Sequence, residues 1–347
     1  MKLKTRLSRT LRIAGKVAWA LLDRHPPALV HLIPMRRCNL TCAYCNEYDA
    51  ISKPVATELL LARIDRLADL GTAVLTFSGG EPMMHPELDR LVAHARRRGL
   101  FVTLITNGYY LSEERILRLN AAGLDHLQIS VDNVEPDESS MKSLRLLEPK
   151  LKWLAAGADF TVAINSVVGS GVRNPEDAII VAERAAELGF MSSLGIAHDA
   201  EGQLRPLGER EMKVYSQLRR MKRKSVLRFN HLFQDKLAKG LSNDWSCRAG
   251  ARYLYVDEAG IVSYCSQQRG RPGIPLMEYG VADIKREYAT KKSCAPACTV
   301  NCVQQTAILD NWRSPQRLLA QLPVRTTGAQ AAQPGAVLAE RDSALVG

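Results

Sequence analysis

The sequence predicts an α/β protein in which a run of βα units builds a parallel sheet, followed by a small cysteine-rich C-terminal extension. From residue 30 onward, apolar strand-like segments alternate with amphipathic helical segments. Eight cysteines fall into two groups, within 38–45 and 247–302, and none lies between the groups. With 347 residues, the chain is long enough for one large domain, or for a large and a small one.

The predicted elements follow each other as strand and helix through the first two thirds of the chain. The strands are short apolar runs at 30–34, 73–78, 101–106, 126–131, 160–167 and 193–198. The helices show apolar positions at a spacing of three and four, at 57–69, 86–98, 112–122, 138–156 and 175–188. Alternation alone fits a barrel and a doubly wound sheet equally.

The N-terminal segment reads as a basic amphipathic helix over residues 3–22. Such a helix can lie on an anionic membrane or pack across a barrel end with its charges solvated, and we expect packing. Lys16 interrupts the apolar stretch and no small-residue cleavage site follows, so no secretory signal is predicted. No run approaches the ~18 apolar residues of a transmembrane helix.

The composition restricts the classes of binding partner and the cellular compartment to be expected. The formal charge of +11 permits an acidic partner, such as a phosphorylated substrate, an anionic membrane or nucleic acid, but it equally fits a generally basic composition. Because the charges are spread and aromatics make up only 6%, we expect no nucleic-acid binding. Clustered cysteines without a signal peptide indicate metal binding in a reducing compartment. The expected localisation is cytoplasmic, with peripheral contact to the inner membrane face as the alternative.

The first cysteine group carries the strongest chemical signal. Cys38, Cys42 and Cys45 are spaced C-x3-C-x2-C directly after the first predicted strand. Three thiolates on one short loop can hold three irons of a [4Fe–4S] cube and leave the fourth iron open to a small molecule.

Polar and glycine residues at the ends of later strands are candidates for contacts to that small molecule. Gly79, Gly80 and Glu81 follow the second strand, and two glycines let a backbone approach a ligand closely. Polar residues also close the third, fourth and fifth strands, at Asn107, Ser130, Asp132 and Asn165. Turns and helix caps are the alternative for these four.

The cluster loop and the Gly-Gly-Glu-Pro segment together resemble the radical S-adenosylmethionine (SAM) enzymes. The resemblance implies a partial (β/α)6 TIM-like barrel, with the active site at the carboxyl ends of the strands. It implies that the open iron chelates SAM and that one electron from the cluster releases a 5′-deoxyadenosyl radical. It further implies SAM contacts from residues of the cluster loop and the strand ends, namely Tyr44, Gly79, Gly80, Glu81, Asn107, Ser130, Asp132 and Asn165.

The second cysteine group predicts another metal site. Cys247 precedes an alternating segment with a turn at 257–260 that reads as a β-hairpin and ends at Cys265. Cys294, Cys298 and Cys302 follow at C-x3-C-x3-C spacing. The group resembles a shortened SPASM/twitch extension, which implies one auxiliary [4Fe–4S] cluster. Five thiolates can ligate one cube with one left over, and zinc held by four thiolates is the structural alternative.

These features predict an enzyme that takes a hydrogen atom from a substrate C–H bond. An auxiliary cluster implies net oxidation or a crosslink, with a flavodoxin- or ferredoxin-type electron donor. The substrate is expected to be a small molecule, a sugar or a lipid-linked compound, since the 29 residues before the first strand do not accommodate a leader-binding domain. The alternatives are a peptide maturase, addition of the adenosyl radical to a lipid and, outside enzymes, a metal-binding basic protein that binds nucleic acid or a partner.

The predicted organisation has five parts. They are an N-terminal helix at 1–29, a barrel core at 30–207, a helical linker at 208–246, a cluster domain at 247–320 and a disordered tail at 321–347. Two histidines are candidates for catalytic groups. His85 is expected to start a helix, and His198 with Asp199 is expected to form a surface turn.

Overall fold

The computed structural model describes residues 11–16, 18, 20–23, 25–169, 171–197, 205–221 and 230–311. In these residues nine strands form one open sheet in the order β6-β5-β4-β3-β2-β1-β7-β8-β9. Strands β1 to β6 pair in parallel with their sequence neighbours. The predicted partial barrel is therefore confirmed, with a sheet that does not close. The strands are Leu29–Met35, Val74–Gly79, Phe101–Thr106, His126–Ser130, Thr161–Gly169, Met191–Ala197, Tyr253–Val256, Ile261–Ser263 and Pro272–Pro275.

Helices cover the outer face of the parallel strands. In chain order, α1 to α9 are Thr57–Asp69, Leu88–Arg97, Glu113–Ala122, Leu144–Gly157, Asp177–Glu187, Glu209–Met221, Asn230–Leu237, Val281–Ala289 and Asn301–Asn311. Apolar strand residues such as Leu75, Val102 and Leu127 pack with helix residues such as Leu91 and Leu151 in the main core. This burial on the helix side is what the 3.6-residue period of the helical segments predicts.

The helix predicted at 138–156 begins later, at Leu144. The Asp137 Oδ1 atom accepts hydrogen bonds from the backbone N–H groups of Ser139 and Ser140, both at 2.9 Å. Such a side-chain turn competes with the helix for the same backbone donors. The residues before Leu144 consequently form a loop over the cluster segment, where Ser139 O accepts a hydrogen bond from Ala43 N.

The C-terminal cysteine segment continues the barrel sheet. The predicted hairpin is present as the antiparallel pair β7 and β8, and β9 adds a third strand. Strand β7 also pairs in parallel with β1, from Leu29 with Tyr253 to Leu32 with Val256. This pairing brings the second cysteine group beside the first strand. The boundary between a core and a cluster domain stays a prediction.

The described part of the N-terminal segment packs on the barrel. Residues 11–16, 18 and 20–22 are helical. Arg12 contacts the fully buried Asp125, which lies just before β4. The buried Arg252 donates to backbone carbonyls of Ala20, Asp23 and Pro26. These contacts agree with the packing expected for this helix. Among the helices that the structure describes, none is long and apolar enough to span a membrane.

Candidate functional site

The loop with the first three cysteines is anchored to the carboxyl ends of β1 and β2. Cys38 N donates to Asp49 O at 3.0 Å, which closes the loop on itself. At the end of β2, Gly80 N donates to Met35 O at 3.1 Å and Glu81 N donates to Arg37 O at 3.0 Å. These three hydrogen bonds join the cysteine loop and the residues at the end of β2 into one platform.

Glycine is required twice where this platform forms. Gly79 adopts φ +114°, in the left-handed region that other residues rarely enter. A Cβ on Gly80 would lie 2.1 Å from Arg36 O and 2.4 Å from Arg37 O, which is far inside van der Waals contact. The pair therefore allows two backbone segments to approach closely, while the predicted approach to a ligand stays a prediction.

Glu81 is fully buried and is bonded to the protein itself. Its carboxylate accepts hydrogen bonds from Thr106 Oγ1 at 2.7 Å, Asn107 N at 2.8 Å and Met83 N at 2.9 Å. Burial raises the pKa of this carboxyl, and the three donors counteract that rise. In this arrangement Glu81 positions the end of β3 against the glycine segment.

Two polar side chains touch the thiols of the loop. Asn107 Nδ2 lies 3.7 Å from Cys38 Sγ and donates to Asn39 Oδ1 at 2.9 Å. Ser140 Oγ lies 3.7 Å from Cys42 Sγ. Such contacts to sulfur orient metal-ligating thiols and tune a cluster.

The three thiols face a cavity of about 200 Å³ at the carboxyl ends of the strands. Five of the eight predicted cofactor contacts line it: Tyr44, Gly79, Gly80, Asn107 and Ser130. A barrel enzyme binds its substrate at this end of the strands. The remaining three, Glu81, Asp132 and Asn165, have other positions.

Asp132 lies at the centre of a buried ionic network beside the loop. Its Oδ2 atom accepts from Tyr44 OH at 2.5 Å and from Ser140 Oγ at 2.8 Å, and it pairs with Lys142 Nζ at 3.0 Å. Burial alone lowers the pKa of Lys142, but the charges of Asp132 and Tyr44 raise it well above the usual value. Lys142 also lines the cavity, where its ammonium group is paired with Asp132.

The other weighed residues have structural partners or lie elsewhere. Asn165 Oδ1 accepts from Ser193 Oγ at 2.8 Å, which joins β5 to β6. The His85 ring contacts Val55 O through Nε2 at 2.9 Å and Glu87 N through Nδ1 at 3.2 Å. His198 and Asp199 lie outside the described residues.

Electrostatic interactions link four of the five C-terminal cysteines, and Cys302 packs against the buried cluster that contains Cys247 and Cys265. The charges of Cys247 and Cys294 raise the pKa of Cys265, and those of Cys247, Cys265 and Cys294 raise the pKa of Cys298, in both cases after burial. For Cys302 the charge that raises the pKa after burial is that of Glu47. Cys302 lines the first cavity together with Cys38, Cys42 and Cys45.

Burial disfavours the thiolate form at both cysteine sites. It raises the pKa of Cys45 to about 11 and that of Cys265 to about 12. Within the described residues, no group of three or more His, Cys, Asp or Glu side chains is arranged to hold a metal ion. A single ion requires all its sulfur ligands within about 2.3 Å of one point. A cube takes one thiolate for each iron, so this finding does not test cluster binding.

Besides Lys142, the sequence analysis missed two titratable residues that line the cavity. His31 lies within an apolar run on β1; its Nδ1 is 2.9 Å from Ser78 Oγ, and its buried Nε2 has no hydrogen-bond partner in the described part of the chain. Burial lowers the pKa of His31 to about 4, so the ring is neutral. Glu47 follows the last loop cysteine, and burial raises its pKa to about 7. Strand alternation that points His31 inward was the one available signal.

Sequence comparisons match the barrel half of the chain. The sequence model of the Radical SAM superfamily matches residues 32–197. The PqqA peptide cyclase of Xanthomonas axonopodis pv. citri (strain 306) is 42% identical over 120 residues, or 32% of this chain and 31% of that protein. The PqqA peptide cyclase of Xanthomonas oryzae pv. oryzae (strain MAFF 311018) is 40% identical over 114 residues, with the same coverage. The chain thus spans about a third of the length of these curated relatives.

Solved structures match more of the chain at lower identity. Streptococcus suis SuiB bound to precursor peptide SuiA superposes with a TM-score of 0.56 at 14% identity, over 86% of this chain and 74% of that one. The native anSMEcpe with bound AdoMet and Cp18Cys peptide gives 0.53 at 17% identity, over 85% of this chain and 99% of that one. At these identities the likeness concerns the fold.

Fold and site together define an enzyme class: an open α/β barrel with a thiol-lined cavity at the carboxyl ends of its parallel strands. Residues 32–197 of this chain match the Radical SAM superfamily, which indicates an enzyme. A [4Fe–4S] cluster and SAM are the cofactors that this family implies.

Proposed function

We propose that this enzyme cleaves SAM reductively and takes a hydrogen atom from a C–H bond of a peptide, in a net oxidation or crosslink. The observation that carries the proposal is the shared cavity. The loop thiols Cys38, Cys42 and Cys45 line it together with the Gly79 and Gly80 backbone. When bound, the cluster and SAM supply a 5′-deoxyadenosyl radical; the protein supplies position and the exclusion of water.

The residues at the first site fit these cofactors. Three thiols suit three irons and leave one iron for SAM. Asn107 and Ser130 present polar groups suited to SAM, and the absence of a Cβ on Gly80 lets its backbone lie against Arg36 O at the edge of the cavity. Lys142, paired with Asp132, supplies N–H donors to the same cavity. Glu81 and Asp132 position the residues that line the site: Glu81 accepts a hydrogen bond from Asn107 N, and Asp132 accepts one from Tyr44 OH.

The second site fits one auxiliary cluster on Cys247, Cys265, Cys294 and Cys298. Each of these thiols lies within electrostatic reach of others in the set. Tyr253 separates the set from the cavity: its ring lines the cavity, and its side chain packs in the same buried cluster as Cys247 and Cys265. An electron acceptor here would be one side chain away from a substrate radical, which favours net oxidation.

A peptide is the substrate class that the comparisons favour over a small molecule, a sugar or a lipid-linked compound. The curated relatives are named peptide cyclases, and SuiB is described with a precursor peptide. The match covers 120 residues and 31% of the relative, so the comparison suggests the class and leaves the sequence of the peptide open. A flavodoxin- or ferredoxin-type donor would supply the electron.

The cofactor part of the proposal is tested on anaerobically reconstituted protein. We expect about eight irons per chain, EPR signals of two clusters after dithionite reduction, and perturbation of one signal by SAM. The triple variant Cys38→Ala, Cys42→Ala, Cys45→Ala should keep about four irons and lose SAM cleavage. SAM cleavage at the wild-type rate in this variant would contradict the proposal.

The substrate class is tested separately, with fractions of a cell extract. Formation of 5′-deoxyadenosine above the substrate-free rate identifies an active fraction. If the substrate is a peptide, the activity stays in the peptide fraction and treatment with a protease removes it. Stimulation that survives proteolysis, or that stays with the lipid fraction, would refute the peptide assignment and restore the small-molecule or lipid alternative.

A further inference from the structure

His31 combines burial, a place in the cavity wall and a ring nitrogen that the protein leaves unpaired. The residue is 8% exposed and lines the cavity, and its Nε2 has no hydrogen-bond partner among the described residues. Buried polar atoms in proteins are usually paired, because leaving one unpaired is costly. A molecule in the cavity that makes the missing hydrogen bond would offset this cost, so the atom indicates a binding position.

The His31 ring is held in place by its other contacts. Its Nδ1 lies 2.9 Å from Ser78 Oγ, and the ring centroid lies 5.3 Å from that of Tyr253. Burial lowers the pKa of His31 to about 4, so the ring is neutral and carries one N–H group and one lone pair. We assign the hydroxyl of Ser78 as the donor to Nδ1, which leaves the proton on Nε2. The unpaired atom is then a hydrogen-bond donor.

The inner face of the sheet is polar along the whole register row that contains His31. In this row His31 pairs with Thr76, Thr76 with Thr103, Thr103 with His126, and His126 with Thr161. The apolar residues next to them in each strand pack in the core on the helix side, so strand alternation places the row on the inner face. Barrel interiors are commonly filled with branched apolar side chains. A polar inner face instead suits a hydrogen-bonding group such as an amide and disfavours an alkyl chain.

We propose that His31 is a substrate-binding residue whose Nε2–H group donates a hydrogen bond to an amide carbonyl oxygen of the peptide. The inference rests on the proposed function, since it assigns a peptide amide to the cavity that the loop thiols line. Strand β1, which carries His31, lies between β2 and β7. The hydrogen bond would therefore hold the substrate on the side of the cavity that Tyr253 of β7 also lines, next to the second cysteine group. Ser78 is a positioning residue, because it acts through the His31 ring.

The binding test uses the reconstituted holoenzyme with SAM and dithionite. The probe is the peptide fraction of the cell extract that stimulates 5′-deoxyadenosine formation, and a dilution series gives its half-saturating amount and the maximal rate. His31→Phe keeps a ring and removes both nitrogens, so it should raise the half-saturating amount about tenfold (~1.4 kcal/mol). His31→Gln places an amide N–H group near the position of Nε2 and should recover most of this loss.

A second readout distinguishes substrate binding from a structural role. His85→Phe is the matched control for stability, because both nitrogens of the buried His85 are bonded, at 2.9 Å to Val55 O and at 3.2 Å to Glu87 N. The same substitution at His31 removes one bonded and one unpaired nitrogen. In the absence of substrate, His31→Phe should therefore lower Tm less than His85→Phe does.

The outcomes separate this inference from the proposed function. A half-saturating amount unchanged in His31→Phe, or raised equally in His31→Gln, would overturn the inference. An equal rise in the Kd of SAM in His31→Phe would make His31 a SAM contact and would also overturn it. Ser78→Ala should weaken substrate binding in the wild type and add nothing in the His31→Phe background, whereas additive effects would contradict its role through the ring. Absence of SAM cleavage in the wild type, or stimulation that survives proteolysis, would instead remove the proposed function.

Discussion

Replacing Gly80 by alanine should disable the cofactor site through backbone contact alone. The added Cβ would lie 2.1 Å from Arg36 O, whereas ordinary contact begins at 3.4 Å, so the two segments must separate by about 1.3 Å. Both sides of the clash are backbone, and no side chain can rotate away. We expect a cost at the upper end of the range for overpacking, about 3 kcal/mol.

The same displacement moves the glycine segment away from the cluster loop. Because a misplacement of 1 Å can lower a rate about 100-fold, SAM cleavage should fall by about this factor. The assay combines the Kd of SAM, from its perturbation of the cluster EPR signal, with the rate of 5′-deoxyadenosine formation. For a large domain, 3 kcal/mol corresponds to a fall in Tm of about 6 °C.

Gly157→Ala is the matched control for this prediction. It makes the same chemical change at the end of α4, where the new Cβ would meet only Ile116 Cγ2 at an ordinary 3.6 Å. Both substitutions restrict the unfolded chain equally, so their difference isolates the clash in the folded protein. A Gly80→Ala protein that binds SAM and melts like Gly157→Ala would refute the reasoning.

Three further substitutions test the buried polar groups. Glu81→Gln leaves at least one of three buried donors facing an amide N–H, so it should destabilise the protein by about 1–3 kcal/mol and raise the Kd of SAM, as thermal melts and EPR titration can measure. His31 has a folded-state pKa of about 4 against 6.5 for the free side chain, so its contribution to stability is complete above pH 6.5 and is lost toward pH 4. Between pH 7.5 and 5.0 the loss amounts to about 2 kcal/mol; His31→Gln should remove it, which urea unfolding at these two pH values would show. The positive charge of Lys292 beside Cys247 should raise the reduction potential of the proposed auxiliary cluster. Lys292→Met should therefore lower this potential by ~59 mV, which makes the cluster about tenfold less reduced at a fixed solution potential, and the exposed Lys291→Met should not change it.

Local pattern predicted the parts of the site that depend on local geometry. The loop spacing of Cys38 to Cys45 and the Gly79–Gly80 pair are contiguous in the chain, and the strand-end rule places them at one end of the barrel. Helix α1 was predicted with its observed bounds because its apolar period is unbroken. The later start of α4 was missed, because a single carboxylate, Asp137, captures the backbone donors that the helix would use.

Contacts between segments that are distant in the sequence could not be predicted from local patterns. Asp132 is predicted to contact SAM because it follows the end of a strand. The structure adds an ion pair between Asp132 and Lys142, and Lys142 lies in a loop that was predicted as helix. Cys302 read as one of five equivalent thiols because spacing carries no information about which cavity a side chain faces. His31 was hidden in an apolar strand, where only its pairing neighbours Thr76 and Tyr255 define its side of the sheet.

The parallel pairing of β7 with β1 brings the second cysteine group close to the cavity that the first group lines. Strand β7, which follows Cys247, carries Tyr253, and strand β1, which precedes the cluster loop, carries His31. The centroids of the two rings lie 5.3 Å apart. If the second cysteine group lay in a separate domain joined only by a loop, the distance between the two rings could vary. Because hydrogen bonds between the two strands fix it, an auxiliary cluster on the C-terminal thiols would be held one aromatic ring away from a radical formed near the loop thiols. Any substitution that weakens this pairing should therefore uncouple SAM cleavage from substrate oxidation before it reduces the binding of either cluster.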